Sequence, residues 1–306
     1  MLLGALLLDL AFPEPPRVIH PVVWMGSAIS WIENRMLPSE ESTKPFLVGL
    51  GLAVILPVGC GGLLWIAATE LRNLGPVPYL VFGALLLKTT FAVRGLGKAA
   101  KRTQHFLEAG NLNGARLSLR SLVSREVKSL TIPSVSMAAI ESVAENTTDS
   151  YIGPWLAFAM LGLPGAFGYR ALSTLDSMVG YHGKHEYLGK ASARLDDVVN
   201  LIPARLSTVL MLISGGLLGM SVGRGSQMIA RDRHLTESPN AGWTISAMSG
   251  LLGVALEKTG HYRIGNGLAE PFPSDIGESV RVMYAVAGII LPLVTGLIVM
   301  RGFWGE

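Results

Sequence analysis

The chain has 306 residues, of which 50% are hydrophobic and only 15% charged, with a mean hydropathy of +0.44, a net charge of +3 and a pI near 9.0. A soluble domain carries about 25% charged residues, so this composition excludes an ordinary soluble enzyme and points to a membrane protein. The single cysteine, Cys60, excludes an intrachain disulfide and reads as a small packing residue inside an apolar run.

Five stretches have the length and apolarity of membrane spans. In chain order they are Phe46–Thr69, Pro76–Val93, Tyr151–Tyr169, Leu206–Gly223 and Val282–Met300, the second interrupted by Lys88. Three shorter apolar stretches, Met1–Leu8, Val18–Ile32 and Ala241–Leu256, read as short, tilted, re-entrant or interfacial helices. Met1–Leu8 has no preceding basic region and no small-residue cleavage site, so it is not read as a secretory signal. The long runs are continuous rather than alternating. Backbone polar groups must pair internally in lipid, which leaves helices or closed barrels. The predicted fold class is therefore all-α, a polytopic integral membrane bundle of about five spans plus short, broken or re-entrant helices. A single membrane domain over 1–306 is the simplest organisation, because no polar linker and no internal repeat divides the chain. The 36 glycines and 17 prolines suit close helix packing and kinks.

Positive charge is concentrated around 98–128, where Lys98, Lys101, Arg102, Arg116, Arg120, Arg125 and Lys128 face only Glu108 and Glu126. The positive-inside rule places this segment in the cytoplasm. It reads either as a topology determinant with a solvated helical face or as an attractor of polyanionic substrate or anionic lipid. Aromatic residues are not interleaved with the charges, which argues against nucleic acid.

Polar residues crowd both sides of the uncharged stretch Tyr151–Tyr169, and ionisable groups near lipid mark functional sites by default. Before it, E141SVAENTTDS spaces Glu141, Glu145 and Asp149 at i, i+4 and i+8, on one face if helical. Like charges at that spacing repel by a few tenths of a kcal/mol, so Mg²⁺, an arginine or protonation is needed to offset them. Oxygen donors of this kind suit Mg²⁺ bridging to substrate phosphates; a solvated rim is the alternative. After the stretch, Arg170, Ser173, Thr174, Asp176 and Ser177 cluster. Then S192ARLDDVVNLIPAR follows, with Ser192 as a helix N-cap candidate. There Asp196 and Asn200 are expected on one face with Asp197 about a quarter-turn away, and Arg194 and Arg205 offer forked donors for phosphate or carboxylate. Structural ion pairing is the competing reading. His182 and His185 form an H-x-x-H without the further ligands a zinc site needs and read as loop histidines. No Walker A, G-x-S-x-G or strand-following G-x-G-x-x-G is present.

D9LAFPEPPRVIHPVVWMG, E141SVAENTTDS, A171LSTLDSMVGY, S192ARLDDVVNLIPARL and N240AGWTISAMSGLLGVALEKTGHY together resemble the adenosylcobinamide-phosphate synthase family of cobalamin biosynthesis (the CbiB/CobD family), in order and over most of the chain. Departures are modest: His182-Gly183 stands where the family usually has Lys-Asn, and Thr148-Asp149-Ser150 where it often reads Asp-Gly. The resemblance implies an ATP-dependent, Mg²⁺-requiring amide ligase in the cell membrane. Its substrates would be a corrinoid, cobyric acid, and aminopropanol or aminopropanol phosphate, and its active site would face the cytoplasm. It implies Glu141, Glu145, Asp149, Asp176, Asp196 and Asp197 as catalytic candidates, with Glu145, Asp149 and Asp196 as the metal set. Arg170, Arg194 and Arg205 would hold phosphate or the corrinoid periphery. Asn146 and Asn200 would bind substrate amides, Ser173 is a further substrate contact, and His20 and Asn240 come second. Other membrane-bound enzymes of B12 assembly are candidate partners, and homo-oligomerisation stays open. A transporter or binding protein for a corrinoid or another polar solute is the alternative.

One conflict follows. If Tyr151–Tyr169 crosses the bilayer, the patches on its two sides cannot serve one cytoplasmic ATP site. Gly162, Pro164, Gly165 and Gly168 are poor helix-interior residues. The stretch is therefore predicted to be broken or re-entrant, or its patches to dip into a shared cavity.

Overall fold

The computed structural model describes residues 1–35, 43–180 and 186–304, so the His182–His185 pair lies outside the described residues. The molecule is almost entirely helical. Four helical runs are long and apolar enough to cross a membrane: Phe46–Asn73, Pro76–Glu108, Ile132–Val179 and Pro273–Arg301. The count becomes five if Leu188–Val199 and Leu201–Leu217 form one bent span. That pair replaces the span predicted over Leu206–Gly223. The helix there stops at Leu217, Gly219 turns with φ 77°, and the next helix starts at Val222. Leu50, Val54, Ile55, Val58, Leu63, Trp65 and Ile66 are all exposed along the first run. An exposed apolar face of that extent belongs in lipid.

The residues fall into two compact units, each assembled from separated stretches. The first contains 1–92, 153–199 and 294–306. Its helices are α1 (Leu2–Ala11), α2 (Pro21–Arg35), α3 (Thr43–Asn73), α4 (Pro76–Lys88), α8 (Gly153–Val179) and α9 (Glu186–Val199). Its core joins Ile29 of α2, Ala53 of α3, Leu175 and Val179 of α8 and Leu188 of α9. Met25, Phe167 and Ala171 form a second cluster, against which the half-buried Cys60 packs as expected of a small core residue.

Within α8 the predicted break is real. Gly162 has φ 69° and ψ −153°, a region that is essentially glycine-only. A Cβ on Gly165 would lie 2.4 Å from the Ala157 carbonyl oxygen, and one on Gly153 would lie 2.2 Å from the Tyr169 ring. In a straight helix residues 153 and 169 would stand roughly 24 Å apart at 1.5 Å per residue. The stretch is thus a helical hairpin, 153–161 and 163–179, turning at Gly162, with Pro164 in the first turn of the returning arm, where a missing N–H costs nothing. Arg301 Nη1 donates to the carbonyls of Phe158 (3.2 Å) and Ala159 (3.0 Å), the orphan acceptors at the end of the first arm. Met160 and Leu161 at the tip are exposed, at 73% and 68%. An apolar tip with both ends returned to one level has the shape of a re-entrant element.

The second unit contains 93–152 and 200–293. It holds α5 (Val93–Glu108), α6 (Leu112–Leu119), α7 (Ile132–Thr147), α10 (Leu201–Leu217), α11 (Val222–Asp232) and α12 (Ala241–Leu252), with the first part of α13 (Pro273–Trp304). The basic segment 98–128 is mostly helical, formed by α5 and α6. A short antiparallel hairpin, β1 (Leu256–Lys258) and β2 (Tyr262–Ile264), is a local exception to the all-helical expectation. Its register sets Glu257 opposite Arg263, whose side chains pair at 2.6 Å. α12 is buried along nearly its whole length, so most of the apolar stretch 241–256 is a core helix of this unit, which ends at Leu252 before the chain enters β1.

Candidate functional site

α7 opens at Thr131, whose hydroxyl accepts from the Ser134 N–H, followed by Pro133 in the first turn. It runs buried until a π turn at Thr148–Ile152. That turn is held by Thr148 donating to Ser207 of α10 (2.8 Å) and by the Tyr151 hydroxyl donating to the Met283 carbonyl of α13 (2.9 Å). π turns sit often at functional sites. Glu141 and Glu145 lie one turn apart on α7, while Asp149 lies in the π turn that follows.

Glu141 is 8% exposed. A buried carboxylate requires a cation or donors. Two answer it. Arg125 Nη2 stands 3.3 Å from Glu141 Oε2. Tyr262 of β2 hydrogen-bonds Glu141 and lies in the field of both Glu141 and Glu145. Burial, reinforced by the Glu141 and Glu145 charges, pushes the Tyr262 phenol far above its ordinary value. Tyr262 therefore stays protonated and acts as a donor. An arginine, one of the three devices that could offset the repulsion, is the one present at Glu141. Ser142 Oγ donates to the Leu122 carbonyl (2.9 Å), which fixes the Arg125-bearing segment against α7. Asn146 turns its amide N–H groups back to the Ser142 carbonyl (2.9 Å) and hydroxyl (3.1 Å). Tyr262→Phe keeps the ring and removes the donor. Its expected effect is a stability loss of about 1 kcal/mol, read by thermal unfolding beside wild type.

The chain leaving the β hairpin after β2 is held from α11. Asp232, 6% exposed in its side chain, takes Arg231 Nε at 2.6 Å and Nη2 at 2.8 Å, and the Gly265 N–H at 2.7 Å. Arg231 also donates to the Asn266 carbonyl (3.2 Å). The Arg231 hydrogen bonds, with the Gly265 N–H behind them, hold the Asp232 carboxyl below the usual carboxylate range against the opposing effect of burial. The unfolded chain takes up the proton first, so the stabilisation is complete above the ordinary aspartate pKa and fades as pH falls through the folded value. Asp232→Asn is expected to lower stability by about 1–3 kcal/mol. Its melting-temperature gap from wild type should stay constant from pH 8 to about 5 and close below about pH 4.

The same unit holds Asn200, Arg205 and Asn240. Asn200 is buried at the junction between α9, which ends at Val199, and α10. Arg205 donates to Asn240 Oδ1, to the Leu201 carbonyl at 3.1 Å and to the Pro239 carbonyl at 3.3 Å, tying α10 to the start of α12. Arg205 and Arg233 each stand 5.1 Å from the Trp243 ring.

In the first unit, Arg170, Ser173 and Asp176 lie on the returning arm of α8, with Ser173 buried. Arg194, Asp196 and Asp197 lie on α9, with Arg194 exposed. Ser192 is not the N-cap. α9 begins at Glu186, and the Ser192 hydroxyl donates back to the Gly189 carbonyl (2.9 Å) in mid-helix. His20 donates Nε2–H to Glu14 (3.2 Å) while Nδ1 accepts from the Val22 N–H (3.3 Å). Glu14 in turn meets Lys88 Nζ at 2.9 Å. Lys88 is only 4% exposed. The charge that interrupted a predicted span is thus satisfied by Glu14 and the Pro13 carbonyl (3.2 Å).

Sequence reasoning did not assign Tyr262, Arg125, Asp232, Trp243 or Glu14. A lysine within a span signals a partner, so Glu14 was findable in kind. Tyr262 closes the block from Asn240 that carries the family resemblance, but nothing in its spacing tied it to Glu141. Among the described residues no three His, Cys, Asp or Glu side chains converge as a ready-made metal site.

The CobD/Cbib protein family model matches residues 2–283. A cobalamin biosynthesis protein CobD of Dehalococcoides mccartyi is 38% identical over 95% of this chain and 94% of its own length. One of Geobacter metallireducens is 40% identical over 94% and 89%. A probable cobalamin biosynthesis protein CobD of Pyrococcus furiosus is 37% identical over 97% and 98%. No solved structure matches. With a family match across nearly its whole length and relatives well above a third identical, this multi-pass membrane chain belongs to the CobD/CbiB family.

Proposed function

We propose that this protein acts in cobalamin biosynthesis as an ATP-dependent amide ligase. It would join aminopropanol, or aminopropanol phosphate, to the free carboxylate of cobyric acid to give cobinamide or its phosphate. The observation that carries the reading is the buried Glu141 beside Glu145, with Arg125 and Tyr262 set on it, in a member of this family.

A carboxylate is a poor electrophile and needs activation. In the proposed route a corrinoid carboxylate oxygen attacks the γ-phosphorus of ATP, the bond to the bridging oxygen breaks, and ADP leaves with the electron pair. The amine nitrogen then attacks the acyl carbon, gives up a proton, and expels inorganic phosphate. Glu145 is half-buried and is the group suited to hold Mg²⁺ or take the amine proton. Mg²⁺ uses one or two carboxylates together with substrate phosphates, so the residues present fit it without a three-ligand cage. When bound, it would neutralise phosphate charge. Glu141, fixed by Tyr262 and Arg125, keeps the local field constant. Asp149, Asp176, Asp196 and Asp197 remain the other acids proposed for this chemistry, and Arg170, Arg194 and Arg205 the other phosphate or corrinoid contacts.

The test is reconstitution in nanodiscs with adenosylcobyric acid, ATP-Mg²⁺ and either amine. One ADP and one phosphate per amide are expected, and comparing the amines shows which is preferred. A folded sample that forms no amide overturns the reading. The re-entrant hairpin also suits a transporter; corrinoid uptake into sealed vesicles without amide formation would favour that alternative.

A further inference from the structure

The basic segment does more than set topology. Two open clefts adjoin along it, of about 350 and 370 Å³. The first is lined by Asn113, Arg116, Leu117, Arg120, Val127 and Lys128. The second shares Arg120 and Val127 with it and continues through Ser124 to Arg125. Cleft volumes of this size suit a small ligand. Arg116, Arg120 and Lys128 face a single carboxylate in this lining, Glu126. Glu126 accepts the N–H groups of Val127 and Lys128 at 3.1 Å each and lies in the field of Lys128 and Arg120, so it offsets one of these charges and leaves the lining net positive. Arg116 is anchored on the Leu130 carbonyl through Nε (2.8 Å) and Nη2 (2.6 Å), contacts that orient its guanidinium without neutralising it. Excess fixed positive charge in a cleft attracts and holds anions.

The cleft also has a direction. It ends at Arg125, whose Nη2 reaches Glu141. Arg125 Nε is buried and has no acceptor among the described residues. A buried donor in that state is rare and asks for a partner. A row of cations leading to an unsatisfied guanidinium N–H beside the paired glutamates fits an extended anion whose last group arrives at the carboxylates.

We propose that this cleft seats the triphosphate of the nucleotide, with the inner phosphates over Arg116, Arg120 and Lys128 and the terminal one at Arg125, next to Glu141 and Glu145. The proposal rests on the ligase reading for its choice of anion. It assigns phosphate binding to residues other than Arg170, Arg194 and Arg205.

The test uses the full chain in nanodiscs of zwitterionic lipid, with a non-hydrolysable ATP analogue and Mg²⁺ as the probe. Arg120 and Lys128 are exposed, so Arg120→Gln/Lys128→Gln is expected to fold. It should weaken analogue binding by about tenfold or more, flatten its salt dependence and raise the KM for ATP, while the KM for the amine stays put. Arg125→Lys keeps the charge but loses Nε; it should lower kcat more than it raises the KM for ATP. Should the double variant fail to fold, either single glutamine substitution carries the same readout. Unchanged analogue binding overturns the proposal. So does a variant whose only loss is binding to vesicles containing anionic lipid, which would make the cleft a headgroup site. Analogue binding without amide formation by the wild type would count against the ligase reading and leave the cleft standing.

Discussion

Glu145→Ala should lower turnover by about two to four orders of magnitude, the range for removing a group that moves a proton or anchors a catalytic charge. It should do so without harming the fold. Glu145 sits one turn beyond Glu141 on α7, and like charges at that spacing repel by a few tenths of a kcal/mol. Glu141 has Tyr262 and Arg125 to hold it, and the Glu145 charge also reaches Tyr262. The variant is expected to stay folded while making almost no amide. The measurement is paired: amide formation and thermal unfolding on one preparation. Near-normal turnover would move the chemistry to Asp149, Asp176, Asp196 or Asp197. An unfolded variant would instead make Glu145 a structural residue.

Gly162→Val attacks the architecture rather than the chemistry. Its φ of 69° and ψ of −153° lie where a side chain is strained, at a cost of order 1–3 kcal/mol. Membrane domains, like others, have only about 5–15 kcal/mol in hand. The turn cannot relax by straightening, because Gly153 and Tyr169 are packed against each other on the two arms and Arg301 holds the Phe158 and Ala159 carbonyls. A marked fall in melting temperature and in folded yield is expected. Gly59→Ala is the control: nothing lies within 4 Å of its added Cβ, and Gly-to-Ala in a helix stabilises by about 0.5–1 kcal/mol. A Gly162→Val protein as stable as wild type would show that the turn is not built as described.

The same hairpin shows how much was legible beforehand. Gly162, Pro164 and Gly165 declared a break because helix propensity is local and these residues fail it wherever the chain goes. The spans were legible for the same reason: transfer into lipid depends on the composition of a run, not on its neighbours. Where the local reading failed, a boundary was at stake. Ser192 has the chemistry of a cap, yet α9 starts earlier and absorbs it. Asn200 follows Asp196 at helical spacing, yet the assigned helix stops at Val199 and Asn200 stands on its boundary with α10. Asp149 keeps the i, i+8 spacing, yet it falls in a π turn, where the backbone leaves the α-helical period. One residue of hydrogen-bond slip changes the face, and nothing in a periodic pattern reports it.

The sequence by itself determined that this is a helical membrane protein, that its uncharged central stretch breaks, and that acids and arginines crowd around it. Only the tertiary structure decided which charge answers which. Tyr262 meets Glu141, Arg125 joins a basic cleft to the glutamates, and Lys88 finds Glu14. Helix formation and partition into lipid are properties of consecutive residues. Satisfying a buried charge depends on groups brought close by packing, which sequence spacing does not encode.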